Sequence, residues 1–324
     1  MSFSVYVTRR IPESGIQMLH QAGYNVDIFA EDRVMSKQEI IGAVKGKDAV
    51  LCLLTDPIDE EVLRAADSAK IFANYAVGYN NIDIKTAARL GIQISNTPGV
   101  LTEATADLTW ALLCAAARRI PESDRFTRQG NFKGWAPLLL LGGDIYGQTL
   151  GIIGAGRIGC AVSRRAAGFQ MRILYAARRS NPDLEEQTGA QWTGLDALLE
   201  QSDFVSIHTP LTPETRHLIS EKQFEKMKKT AYLINTSRGP IVDESALVNA
   251  LKKGEIAGAG LDVFEQEPQI HPELLKLDNA VLAPHIGSAT IQARNQMSVM
   301  AARNIIAVLE GDTAPNLVNT AVLG

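Results

Sequence analysis

Residues 149–159 read TLGIIGAGRIG. The apolar run TLGII has the look of a buried strand, and Gly154, Gly156 and Gly159 follow it as G-x-G-x-x-G at the head of the helical run RIGCAVSRRAAG. A pyrophosphate held at a helix N-terminus needs that order of elements. The first glycine permits the tight turn, the second lets the main chain approach the phosphates, and the third lets the helix lie close on its strand. Gly154, Gly156, Arg157, Ile158 and Gly159 are therefore candidate contacts to a dinucleotide.

Working outward, the segments RILYAA, FVSIHTP, AYLINTS, AGAGLDV and AVLAPH continue as strands, with helical patterns between most of them. Upstream, VYVTRR, YNVDIF, AVLCLL, KIFANYAVG and IQISN alternate with PESGIQMLHQAG, SKQEIIGAVKG, DEEVLRAA and IDIKTAARLG, a second βα series without a glycine fingerprint. Both series imply parallel sheets. Between them lies LTEATADLTWALLCAAARRIPESDRFTRQG, where Thr102 and Glu103 open a long apolar helical pattern expected to link the units. The last helical pattern, TIQARNQMSVMAARNIIAVLEGD, has no strands of its own to cover and is expected to cross back to the first unit.

Two units suit 324 residues, more than one hydrophobic core usually organises. With 46% hydrophobic and 21% charged residues and no low-complexity segment, the chain reads as globular. The N-terminal MSFSVYVTRR lacks a signal-peptide pattern, and the most apolar run, WALLCAAA, is cut by Arg118 and Arg119, so the expectation is a cytoplasmic protein without a membrane span. Cys52, Cys114 and Cys160 are too scattered for a disulfide framework and have no metal-ligand spacing; no metal is expected. A net charge of -4 gives no overall attraction to nucleic acid.

An acid about 20 residues past the glycine turn would accept a hydrogen bond from the ribose 2'-hydroxyl of NAD. Ala177, 18 positions after Gly159, stands there instead, followed by Arg178 and Arg179. The neutral side chain removes the repulsion that an acid would exert on a 2'-phosphate. Each arginine could add a charge-assisted bond of roughly 1.5–3 kcal/mol. NADP(H) is the expected cofactor, with NAD(H) possible.

Three ionisable residues follow successive strands: Arg238 after AYLIN, Glu267 in GLDVFEQEP and His285 in VLAPHIGSAT. Strand C-terminal ends in an open parallel sheet form the ligand-binding edge, so the three could meet there. Singly, each is more often a structural residue than a catalytic one.

The motifs VGYNNIDI, NTPGVLTEATADLTWALL, GIIGAGRIG, HTPLTPETRHLI, INTSRGPIVDESAL, GLDVFEQEP and PHIGSAT resemble those of the D-isomer-specific 2-hydroxyacid dehydrogenases, and most closely the glyoxylate/hydroxypyruvate reductase branch. The resemblance spans nearly the whole chain. It implies an α/β fold of two parallel-sheet domains, flavodoxin-like and Rossmann-like, with the active-site cleft between them. A substrate-binding domain would comprise residues 1–98 plus 289–324 and an NAD(P)-binding domain residues 99–288, with a dimerisation segment at about 100–148 in a homodimer.

The resemblance also implies catalytic roles for Arg238, Glu267 and His285. The chemistry agrees. Reduction of a 2-keto acid needs a hydride on the carbonyl carbon and a proton on the oxygen, where charge develops. His285 would give the proton, Glu267 would favour the imidazolium and orient it, and the planar fork of Arg238 would span the substrate carboxylate and keto oxygen. By the same resemblance, Val77 and Gly78 contact the substrate carboxylate through the main chain, and Thr105, Thr209, Pro210, Thr236 and Asp262 line the cofactor. Trp135 in FKGWAP resembles an aromatic that reaches towards the partner subunit's site, or else it is a plain interface or core aromatic; the apolar APLLLLGGD beside it suits a dimer contact.

Other readings stay open at this point. Glyoxylate, hydroxypyruvate and 2-ketogluconate all remain candidates, because the loop around Leu53, Leu54 and Thr55 that would select among them has no legible shape. A nucleotide-sensing regulator on the same fold would not need the three ionisable residues. A formate dehydrogenase would typically carry Gln in place of Glu267, and another nucleotide-binding Rossmann enzyme would leave the three unexplained.

Overall fold

The computed structural model describes residues 2–323, the side chain of Leu323 excepted, and divides them into two compact units. One comprises the described residues of Met1–Leu101 and Ser288–Gly324; the other is Thr102–Gly287. The chain enters the first unit through β1 (Ser4–Val7), α1 (Glu13–Gln21), β2 (Asn25–Ile28), α2 (Lys37–Ala43), β3 (Ala49–Cys52), α3 (Glu60–Ala65), β4 (Ile71–Asn74), α4 (Ile84–Arg89) and β5 (Gln93–Ser95). It then builds the second through α5 (Thr102–Ala117), α6 (Ile120–Arg128), β6 (Thr149–Ile153), α7 (Arg157–Ala166), β7 (Arg172–Ala176), α8 (Pro182–Thr188), β8 (Gln191–Trp192), α9 (Leu195–Gln201), β9 (Phe204–Ile207), α10 (Glu221–Phe224), β10 (Tyr232–Asn235), α11 (Glu244–Lys253), β11 (Gly258–Leu261) and β12 (Ala280–Leu282). The long α12 (Ile291–Leu309) returns to the first unit.

Every strand pairing is parallel. The first sheet runs β2-β1-β3-β4-β5, the flavodoxin-like order. The second runs β12-β11-β10-β9-β6-β7-β8, which is the Rossmann order with one strand added beyond β11. β3, β4 and β9 are buried at every position, as expected of strands covered on both faces. β8 has only two residues and gave no pattern that could be read in advance.

In the first unit α12 lies on the same face as α1, and its Ala301, Ala302 and Ile305 pack into one core with Leu19, Leu51 and Ala73. Polar contacts fix its register. The buried Ser298 Oγ donates to Pro12 O (2.7 Å) and accepts from Gly15 N (3.0 Å), while Tyr75 donates to Arg294 O (2.7 Å). The far edge of this sheet is covered too: the Asn319 amide accepts from Ile94 N (2.8 Å) and donates to Ile92 O (2.9 Å). In the second unit α5 packs against β10, β11 and α7. Its Trp110 donates to Val162 O (3.0 Å) and stacks on Phe169 at 4.8 Å. Among the described residues no helix is long and apolar enough to cross a membrane.

Ser298→Ala would leave one buried N–H and one carbonyl unmatched at the α1–α12 contact. It is expected to lower stability by about 1–3 kcal/mol in urea unfolding. An unchanged transition midpoint would show that this hydrogen-bonded pair does not hold the returning helix.

Candidate active site

The glycine turn lies where strand order reverses in the second sheet, between β6 and β9. Gly154 has φ of +101°, and a Cβ there would stand 2.7 Å from the main chain of His208 and Thr209, so the turn and the end of β9 can touch only through glycine. At Gly159 a Cβ would meet Gly154 O at 2.1 Å, the close helix-to-strand approach expected of the third glycine. Nothing lies within 4 Å of the Cβ position of Gly156, which leaves the main chain open at the N-terminus of α7, where no side chain caps the helix.

A groove of about 1080 Å³ opens here. Its walls come from the ends of β6 (Gly154 to Gly156), β7 (Ala176 to Arg179) and β9 (His208 to Pro210), with Trp192, Thr215 and Leu218. Arg178 and Arg179 are both exposed on it, beside the neutral Ala177. An extended dinucleotide fits the donor set: bare main chain at a helix N-terminus for phosphates, and two guanidinium groups further along. Trp192 and His208 were not anticipated. The indole of Trp192 donates to Ala177 O (3.1 Å), steadying the turn that carries the arginines. His208 bonds Ser206 Oγ through Nε2 at 2.7 Å, and burial drives its pKa down to about 3, so it stays neutral.

Not every anticipated cofactor residue reaches the groove walls. Thr105, Thr236 and Asp262 are buried and used inside the fold. Thr105 donates to Gly287 O (3.1 Å), and Thr236 shares a hydrogen bond with Thr109 (2.8 Å). The Asp262 carboxylate accepts from Ile286 N and Gly287 N (both 2.7 Å), although burial raises its pKa. Arg157 and Ile158 form the first turn of α7, and Gly159 is buried.

Beyond the ends of β10, β11 and β12, Arg238, Glu267 and His285 come together. His285 Nδ1 lies 2.7 Å from Glu267 Oε2, and Glu267 Oε1 accepts from Phe264 N (3.0 Å). The two side chains are 26% and 30% exposed, so the pair is held yet reachable. Burial pushes the Glu267 carboxyl upward, but the hydrogen bond and charge of His285, the Phe264 N–H and the Arg238 charge outweigh it and hold its pKa below the ordinary value. Burial lowers Arg238, opposed by the Glu267 charge. A guanidinium has far too high an intrinsic pKa to lose its proton here.

Main-chain geometry makes this meeting possible. A Cβ at Gly239 would stand 1.8 Å from Phe264 O, so the loop bearing Glu267 can cross directly beside Arg238 only because the next residue is glycine. His285 sits in the left-handed region with φ of +54°, its N–H bonded to Asp262 O (2.9 Å) and Ala283 O (3.1 Å). The Glu267–Pro268 peptide is cis.

Two groups of anticipated residues belong to other segments of the chain. Val77 and Gly78 belong to the first unit, where Asn96 donates to Val77 O (2.7 Å) and Asn74 to Gly78 O (2.8 Å), fixing both peptide planes. Trp135 is 85% exposed in the segment between α6 and β6, with Leu138 and Leu141 also exposed. Among the described residues no His, Cys, Asp and Glu are grouped so as to hold a metal.

The family model "D-isomer specific 2-hydroxyacid dehydrogenase, NAD binding domain" matches residues 110–287. A glyoxylate reductase of Korarchaeum cryptofilum is 55% identical over 98% of this chain and 96% of its own. Among solved structures, a glyoxylate reductase from Paecilomyes thermophila superposes with a TM-score of 0.87 at 34% identity, covering 98% of each chain. An NADPH-dependent glyoxylate/hydroxypyruvate reductase from Sinorhizobium meliloti, in complex with NADP and malonate, gives 0.86 at 30% identity over 99% of this chain and 98% of that one. With a family model over more than half of its length and such relatives along the whole of it, the chain belongs to the D-isomer-specific 2-hydroxyacid dehydrogenases, oxidoreductases that use a nicotinamide cofactor.

Proposed function

We propose that this protein reduces small 2-keto acids, glyoxylate foremost and hydroxypyruvate as a second substrate, to the corresponding 2-hydroxy acids with NADPH. The observation that carries the reading is the His285–Glu267 pair at 2.7 Å with Arg238 beside it on the sheet's C-terminal edge. The relatives named glyoxylate reductase support the choice of substrate. When bound, the cofactor supplies the hydride.

The chain's own residues do the rest. Glu267 engages Nδ1 of His285, which leaves Nε2 to face the substrate and deliver the proton to the keto oxygen. Arg238 keeps its charge in a partly desolvated setting, where it polarises that oxygen and orients the carboxylate more strongly than it would in water. Val77 and Gly78 would offer main-chain N–H groups to the carboxylate, that of Gly78 from the peptide plane whose carbonyl, Val77 O, is held by Asn96. Gly154, Gly156 and the first turn of α7 would hold the pyrophosphate, Arg178 and Arg179 the 2'-phosphate, and Thr209 and Pro210 the nicotinamide side of the groove. Asp262, Thr105 and Thr236 support that edge from beneath it. The apolar segment around Trp135, Leu138 and Leu141 suits a homodimer contact, and three free thiols suit the reducing cytoplasm.

Following absorbance at 340 nm with glyoxylate, NADPH is expected to outperform NADH, and Arg178→Ala to weaken NADPH about 10- to 100-fold while sparing NADH. Equal use of both cofactors by the unaltered protein would reduce the arginines to surface charges. His285→Ala is expected to lower kcat by about 10²- to 10⁴-fold at unchanged NADPH affinity. A near-normal rate in that variant would remove it as the acid.

The pH dependence follows from Glu267, whose pKa is depressed. Its contribution to stability and to the pair is complete above the ordinary value of 4.5 and is lost only as pH falls through the lower folded value. Activity should therefore persist through pH 4.5 and collapse below it, with circular dichroism reporting whether the fold survives. An acid limb centred above 4.5 would contradict the carboxylate's assignment.

A further inference from the structure

Glu267 is carried on a short excursion of the chain after β11, and both feet of that excursion are gripped by one side chain. Glu244, the first residue of α11, is only 8% exposed. Its Oε2 accepts from Glu265 N (2.8 Å) and its Oε1 from His271 N (2.7 Å). Between those anchors lie Glu267 and the short Gln266–Gln269 bridge. Glu265 returns the contact by accepting from Glu244 N (3.3 Å) through Oε2. Its Oε1 accepts from His217 Nε2 (2.6 Å) and Arg216 (3.3 Å), on the segment that also brings Thr215 and Leu218 to the cofactor groove.

We propose that Glu244 is a positioning residue for the reaction: by holding the main chain on both sides of Glu267, it fixes the approach of that carboxylate to His285. The inference rests on the reading of Glu267 and His285 as the proton-handling pair. A nearly buried carboxylate is a costly way to tie down a loop, and two main-chain N–H groups with the N-terminus of α11 offset that cost. No neutral side chain of this length would serve. Gln offers one acceptor oxygen, and its amide would set a donor against the second N–H.

The test is a double-mutant cycle of Glu244→Gln and Glu267→Gln. It is read as kcat with glyoxylate and NADPH, NADPH Kd by fluorescence, and the acid limb of the pH profile. Glu244→Gln alone is expected to lower kcat by about 10- to 100-fold, because a shift of an ångström in a reacting group has effects of that size. NADPH Kd should stay within about twofold, and the acid limb should move to higher pH as the bond to His285 loosens. In the Glu267→Gln background the second change should cost less than about twofold, since both act through one group. Glu244→Asp keeps both oxygens on a shorter stem and should give an intermediate rate, which preserves the test if the Gln variant does not fold. Losses that multiply across the cycle, a kcat that does not change, or NADPH binding that weakens in step with kcat would each overturn the positioning role. Full activity of Glu267→Gln alone would remove the pair's proposed function, and the role of Glu244 with it.

Discussion

Parallel pairing is the constraint on which everything else depends. When all strands of the Thr102–Gly287 sheet run one way, their C-terminal ends share one edge, and the loops that leave it bring together residues far apart in the chain. Gly154, Ala177, Thr209, Arg238, Glu267 and His285 span over 130 positions but follow six strands that end side by side. The order of those strands then decides which neighbours meet. The groove opens at the reversal between β6 and β9, and the run β10-β11-β12 sets Arg238, Glu267 and His285 in sequence on the β9 side of that reversal.

Two acids on that edge balance burial against their partners differently. Glu267 is pushed up by burial and pulled below its ordinary value by His285, a main-chain N–H and Arg238. Asp262 is buried further and is pushed up on balance, although two N–H groups oppose the shift. The contrast separates the two acids. Glu267 is hydrogen-bonded to the imidazole itself, whereas Asp262 feels the His285 charge without a bond to the ring and uses its oxygens on the Ile286 and Gly287 N–H groups, as a fastener for the chain that bears His285.

The sequence revealed most where a residue type answers to a single physical need. Glycine in a strand-turn-helix context pointed to the nucleotide turn, and the alternation of strands and helices pointed to two parallel sheets. Arg238, Glu267 and His285 were legible because each follows a strand-like run, which fixes the edge on which it falls. Contacts made by loop closure were not legible. Nothing in QWTG marks Trp192 as a brace for the turn at Ala177, because β8 is too short to show a period. Glu244 reads as an ordinary helix-start acid. Its two main-chain partners lie 21 and 27 positions away, set by the path of a loop that no local pattern encodes. Thr105, Thr236 and Asp262 are buried and hydrogen-bonded beneath the same edge, and depth of that kind is not conveyed by spacing in a sequence.

The backbone of His285 has one more consequence. A non-glycine residue at φ of +54° is held by its surroundings, here by its own N–H on Asp262 O and by the next two N–H groups on the Asp262 carboxylate. With the main chain fixed on one side and Nδ1 engaged by Glu267 on the other, the imidazole has little freedom left to lose when a ligand arrives. The ordering of this ring is completed during folding, so its cost falls on the stability of the Rossmann unit and not on any later binding step.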